Sequence, residues 1–188
     1  MTTVHESLAA FVRAVAACRL NMSQVPGESL PQVCADTPLN KLSAGRGIEH
    51  LYLSFDKINH KHKYKGKLGF CFREAFSLAS RDPIFIYCEG YASSEALSIP
   101  LHHAWCVNRE TQEVYDPVWN SKKVRGNAYC GLPFNIKFAL EVVLKTKMYG
   151  VLDMLWSCGQ DTLATPISDI IHPAYHSVFL GDSVVNQA

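Results

Sequence analysis

Three side chains of this sequence have the types and the order of an activated nucleophile. Cys71 opens the helical pattern CFREAFSLAS, His103 lies in the strand-like run HHAWCV, and Asp116 lies in the run EVYDPVW. The N–H groups and dipole of a helix N-terminus favour a thiolate, and a nearby imidazolium favours it further. An aspartate can hold that imidazole in the tautomer that shuttles a proton. Taken singly, each residue also fits an ordinary core or turn position.

The elements that must position these residues follow from apolar spacing and turn signals. Residues 70–80 are predicted to form a helix and residues 84–92, rich in β-formers, a strand. Residues 102–108 and 112–119 are predicted to be the arms of a β-hairpin, and residues 135–148 a second helix. Hairpin arms are neighbours, so His103 and Asp116 can meet across them. Consecutive strands between helices predict an antiparallel sheet in an α+β fold.

The flanks of this core carry weaker signals. Residues 5–19 have helical spacing, whereas residues 21–46 are rich in Pro, Gly, Ser and Asn and predict an irregular connection or a lid. Residues 48–56 fit either a strand or a helix. We also expect a loop around Gly126 and Gly131, and short helical pieces in the tail.

A basic loop precedes the nucleophile. Residues 57–67 contain five lysines together with His60 and His62, and this composition is typical of a solvated loop. The alternative is a basic lip that draws an anionic substrate towards Cys71. The two histidines also suggest a metal site, but no carboxylate or thiol nearby completes a ligand set.

Length and composition bound the class of protein. The chain of 188 residues is expected to form one domain, 1–188, with its core at about 66–135. The net charge of +1 predicts neither a nucleic-acid nor a membrane partner. No basic start with an apolar core marks a secretory signal, and seven cysteines without a CxxC pair favour a reducing compartment. We therefore expect a cytoplasmic protein without a structural zinc site.

These runs also resemble a known family. GFC at a helix start, EGYA, HAW, YDP and YCGLPF resemble the transglutaminase-like branch of the papain-like cysteine enzymes, and specifically uncharacterised phage and bacterial members. The resemblance covers residues 66 to about 135. It implies a papain-like or transglutaminase-like fold, a nucleophile helix on a small antiparallel sheet, and a triad of Cys71, His103 and Asp116. It also implies that the protein needs no cofactor or metal and can be delivered into a host cell.

Three neighbours of the triad are candidates for substrate binding: Glu89, Trp105 and Tyr129. Glu89 could bind a substrate amine or pair ordinarily with Arg73 or a lysine. Trp105 lies two positions after His103, on the same strand face, and could wall the cleft or simply fill the core. Tyr129 could reach the cleft from its loop or anchor that loop.

The donors that would stabilise an oxyanion are less specified. The backbone N–H of Cys71 is the natural first donor. Asn59, Tyr64 and Gln32 are all possible second donors, and the sequence selects none of them.

The first functional hypothesis is a thiol-dependent hydrolase or acyl transferase acting on an amide bond. The class covers peptidase, amidase, deamidase and transglutaminase-type reactions on a protein, a peptide or a small amide. The second is a non-catalytic binding or host-interaction module on the same fold. A metal hydrolase using His102, His103 and Asp116 is disfavoured, because adjacent strand residues point to opposite faces. The sequence leaves the oligomeric state open.

Overall fold

The fold was analysed in a computed structural model, which describes residues 3–22, 52–121, 124–152 and 165–180. Most of the predicted connection at 21–46 lies outside these residues. The helices are α1 (Val4–Met22), α2 (Cys71–Arg81), α3 (Ile136–Thr146), α4 (Ile167–Ile170) and α5 (His176–Leu180), with a 3₁₀ turn at Pro173–Tyr175 before α5. The strands are β1 (Leu53–Phe55), β2 (Phe85–Ser94), β3 (Leu101–Asn108), β4 (Val114–Tyr115) and β5 (Gly126–Phe134).

The five strands form one antiparallel sheet in the order β1-β5-β2-β3-β4. The long strand β2 lies at the centre, paired with β3 on one side and with β5 on the other. Its apolar and aromatic run is buried along almost its whole length, as expected of a strand covered on both faces. The predicted mixed α+β class with an antiparallel sheet is therefore confirmed.

The predicted loop around Gly126 and Gly131 is wrong, because both residues lie in strand β5. Gly131 is required there by a close approach of neighbouring atoms. A Cβ at this position would come within 2.3 Å of the Glu89 carbonyl oxygen and 2.6 Å of the Trp105 ring. The glycine that suggests a loop in the sequence thus permits tight packing inside a sheet.

Pro133 is tolerated in β5 for a related reason. Strand β1 pairs with β5 only at residues 129–131, so Pro133 lies beyond the end of β1. On the side of β5 away from β2, the Pro133 carbonyl accepts a hydrogen bond from the backbone N–H of His172 at 3.0 Å. The N–H and C=O of a strand residue point the same way, so the missing N–H of Pro133 faces no ladder acceptor of β1.

Helices α1 and α2 pack apolar side chains on the sheet. Helix α1 begins with a reciprocal cap, in which Glu6 N–H donates to Thr3 Oγ1 and Thr3 N–H to Glu6 Oε2. Its Leu8 and Val12 side chains are buried in the core. Helix α2 buries Ala75, Leu78 and Ala79. The Cys106 thiol on β3 donates to the Ala75 carbonyl at 3.2 Å, which fixes α2 against the sheet.

The other helix boundaries follow local capping. Helix α3 starts after Asn135, whose side chain accepts the Lys137 N–H, and ends where Lys147 adopts a left-handed conformation. The predicted helix at 135–148 is thus confirmed to within two residues. Among the described helices, none is long and apolar enough to cross a bilayer.

Candidate active site

Cys71 is the first residue of helix α2. The first N–H groups of a helix have no acceptor within the helix, and they carry the positive end of its dipole. The Cys71 side chain is partly exposed, whereas those of Cys88, Cys106 and Cys130 are buried. Among the described cysteines, Cys71 is therefore the one that combines access from solvent with a helix start.

The hairpin of β3 and β4 brings His103 to Asp116. Val107 pairs with Val114, and Cys106 pairs with Tyr115. Tyr115 is the last residue of β4, and Asp116 follows it directly in the chain. His103 Nε2 lies 2.7 Å from Asp116 Oδ2. An ionised carboxylate only accepts hydrogen bonds, so Nε2 is the donor, and the other ring nitrogen, Nδ1, remains for Cys71.

The predicted second arm at 112–119 is mostly wrong, since β4 has only two residues. Asp116 itself ends the strand. Its Oδ1 accepts the backbone N–H groups of Val118 and Trp119, both at 2.8 Å. This local turn, typical of aspartate, replaces the ladder bonds that a longer strand would make.

Four donors converge on the Asp116 carboxylate. Besides His103 and the two backbone N–H groups, the Tyr129 hydroxyl donates to Oδ2 at 2.8 Å. Burial would raise the pKa of Asp116, but the charge and hydrogen bond of His103 and the two N–H groups hold it below its usual range. The carboxylate is 2 % exposed and stays ionised at neutral pH.

The imidazole of His103 is as deeply buried as its partner, at 2 % exposure. Burial lowers the pKa of His103, but the charge and hydrogen bond of Asp116 outweigh this effect. The Cys71 side chain adds a further hydrogen bond and charge, and the resulting pKa is about 9. His103 is therefore an imidazolium at neutral pH. The ring also stacks on Trp119, with centroids 4.0 Å apart and an interplanar angle of 22°.

Two predicted neighbours lie beside this pair, and one residue was missed. Tyr129 reaches the site from strand β5 rather than from a loop, and it contacts Asp116 directly. Trp105 lies on the His103 face but is fully buried against Tyr129 and Phe55, so its position fits the core alternative. The sequence patterns described above do not indicate Trp119. Its signal was the Asp-Pro turn, which folds the third residue after Asp116 back onto the histidine.

Glu89 lies on the opposite face of the sheet from His103. The register pairs Gly90 with His103, so the adjacent Glu89 faces the opposite side of the sheet. Its buried carboxylate accepts the backbone N–H groups of Val151 and Leu152, at 2.6 and 2.8 Å, and the Tyr87 hydroxyl at 2.7 Å.

The sequence suggests Arg73 or a lysine as the partner of Glu89. Arg73 pairs instead with Glu74 at 2.7 Å. The carboxylate of Glu89 therefore fixes the segment after α3.

The structure also describes two of the three candidate second oxyanion donors, and it bears on the possible metal site. The Asn59 amide donates to Glu113 and Tyr115, and Tyr64 packs edge-on against Phe85. Gln32 lies outside the described residues. Within the described ranges, no group of three or more His, Cys, Asp or Glu side chains could hold a metal ion.

His102 and His103 lie on opposite faces, as the strand period predicts. His102 packs against the rings of Phe72 and Tyr91, at 4.9 and 5.6 Å between centroids, while His103 faces Asp116. His102 therefore points away from the Asp116 carboxylate, although it contacts Phe72 next to Cys71, and it serves as a matched control for the loss of the His103–Asp116 pair.

No family model, curated protein or solved structure matches this chain.

Proposed function

We propose that the protein is a thiol-dependent hydrolase or acyl transferase that uses Cys71 as its nucleophile. The observation that carries this proposal is the buried His103–Asp116 pair, 2.7 Å apart, whose imidazole also has a side-chain hydrogen bond to Cys71, the first residue of α2. An imidazolium whose second nitrogen is free for a thiolate is the resting state of a cysteine nucleophile.

The proposed reaction uses three groups of the chain. The Cys71 sulfur attacks the carbonyl carbon of an amide, and the carbonyl oxygen, now negative, is stabilised by N–H groups at the start of α2. The C–N bond breaks as His103 gives its proton to the leaving amine. Water or a second amine then attacks the thioester and gives a proton to His103, and the Cys71 sulfur leaves as a thiolate, which restores the starting pair. Asp116 keeps the ring oriented and stabilises its charge.

The surroundings of the pair support this assignment. Asp116 receives four hydrogen bonds, and Trp119 covers one face of the His103 ring. Both residues are thus held by fixed neighbours, while the thiol alone is partly exposed to an arriving substrate. A transglutaminase-like arrangement of the papain-like class accounts for the order of the three residues. Peptides, glutamine side chains and small amides are the substrates that this class suggests.

The test is site-mapped alkylation by iodoacetamide as a function of pH. At about pH 6.5, only about 1 % of an ordinary thiol is thiolate. If His103 activates the Cys71 sulfur, alkylation of Cys71 at this pH should be roughly tenfold faster than that of a model thiol. Replacing His103 with Gln should remove this excess and restore an ordinary pH profile.

The control is His102→Gln, the adjacent histidine on the opposite face of β3. The buried thiols label slowly for lack of access, so selective labelling of Cys71 does not by itself show that His103 activates it. The comparison between His103→Gln and His102→Gln does test this activation. An unchanged Cys71 profile in His103→Gln would remove the nucleophile assignment and leave a non-catalytic binding module as the better explanation.

A further inference from the structure

A basic pocket lies beside the Asp116 turn. It has a volume of about 400 Å³ and is formed by two separate segments, the loop before Cys71 and the turn after Asp116. Its lining residues are His60, His62, Lys65, Gly66, Pro117, Val118, Asn120, Ser121 and Arg125. Four of these side chains are basic or titrate to a cation, and none of the described lining residues is acidic.

Hydrogen bonds hold the two segments of this pocket together. The Asn120 amide donates to the His62 carbonyl at 3.0 Å and lies 3.2 Å from the ring nitrogen Nδ1. The Gly66 N–H donates to the Pro117 carbonyl. Asn120 also forms an isolated β-bridge with Arg125, which fixes the backbone that carries the guanidinium. The positive groups are therefore gathered by the fold rather than spread over a loose loop.

The charges in this pocket are not neutralised from within it. Among the described residues, neither Lys65 nor Arg125 has a carboxylate within ion-pair distance. Burial and the charge of Arg125 lower the pKa of His60, against a smaller opposing effect of Asp116. Burial also lowers the pKa of His62, although the charge of Asp116 and hydrogen bonds to the backbone oppose this shift. Lys65 and Arg125 are exposed at the rim of this pocket and remain available to an anion.

We propose that this pocket binds an oxyanion group, a carboxylate or a phosphate, carried by the substrate whose carbonyl Cys71 attacks. The inference rests on the proposed function for its link to Cys71. Arginine and lysine suit such a group because a guanidinium bonds two oxygens at once and an ammonium adds a point charge. The turn at Pro117 and Val118 lines the pocket and also supplies the Val118 N–H to Asp116. Binding here places the anionic end of a substrate next to the triad.

The experiment is an NMR titration of the histidine rings in Cys71→Ser, with inorganic phosphate in one arm and succinate in the other. Chloride keeps the ionic strength constant. A bound anion favours the cationic form of His60, so its pKa should rise and the ring signals of His60 and His62 should shift saturably. The arm that saturates at the lower concentration identifies the oxyanion.

Variants locate the binding. Arg125→Gln and Lys65→Gln each remove a lining charge at an exposed position and should weaken binding about tenfold, as expected for a lost charge-assisted hydrogen bond. Lys63→Gln removes an equal charge from the same loop outside the pocket and should change affinity less than about twofold. Two lining variants are used so that one misfolded protein does not decide the result.

The proposal is overturned if neither anion produces a saturable shift, or if Lys63→Gln weakens binding as much as Arg125→Gln. The readout needs no reaction and uses a protein without the Cys71 thiol. A negative titration therefore removes the anion site alone, whereas the alkylation test judges the thiol chemistry separately.

Discussion

The raised pKa of His103 makes the stability of the protein depend on pH in a defined direction. The folded-state pKa is about 9, against 6.5 for an ordinary histidine. A raised pKa contributes stability that is fully present below the unfolded value and is lost as the pH rises through the folded value. The window is therefore about pH 6.5 to 9. At 1.36 kcal/mol for each pKa unit, the loss is about 3 kcal/mol for this almost fully buried group.

The perturbation is His103→Gln, which keeps an N–H donor for Asp116 but does not titrate. The assay is urea unfolding of wild type and variant at several pH values across that window. The wild-type free energy of unfolding should fall relative to that of the variant by about 3 kcal/mol between pH 6.5 and 9.5.

The difference between the two proteins is the informative quantity. Burial also raises the pKa of the Cys88 and Cys106 thiols, and these groups remove stability above about pH 8.5 in both proteins. Their contributions cancel in the difference. Parallel curves for the two proteins would refute the argument, since they would mean that His103 gains no proton affinity on folding.

Two further substitutions test the neighbours. Tyr129→Phe removes a donor from the Asp116 carboxylate, so it should cost about 2 kcal/mol in urea unfolding and move the acid-unfolding midpoint to higher pH; an unchanged midpoint would contradict this. Glu89→Gln replaces a buried acceptor of two N–H groups, so it should also cost about 2 kcal/mol, and wild-type stability would return Glu89 to the substrate-binding hypothesis.

Local patterns were enough to predict part of the site. The strand period placed Trp105 on the face of His103 and His102 on the other, and apolar spacing placed Cys71 at the head of a helix. Each of these inferences depends only on residues a few positions apart.

Some features of the fold depend on contacts between residues far apart in the sequence, which local patterns do not predict. Gly131 lies in a strand because the Trp105 ring and the Glu89 carbonyl leave no room for a Cβ, which composition cannot show. Glu89 meets the N–H of Val151 some 62 positions later in the chain. The early end of β4 is different, because the side chain of Asp116 competes locally with the ladder.

The cost of the buried pair favours a functional explanation over a structural one. Taking two charges out of water is expensive, and apolar residues of similar volume are often at least as stabilising. A core selected for stability alone would therefore not require His103 and Asp116. The neighbouring groups also hold the imidazole in one orientation. Four donors fix the Asp116 carboxylate, the carboxylate fixes Nε2 of His103, and Trp119 fixes the plane of the ring. The ring nitrogen Nδ1 remains for Cys71, and the Cys71 thiol is therefore the first group to test.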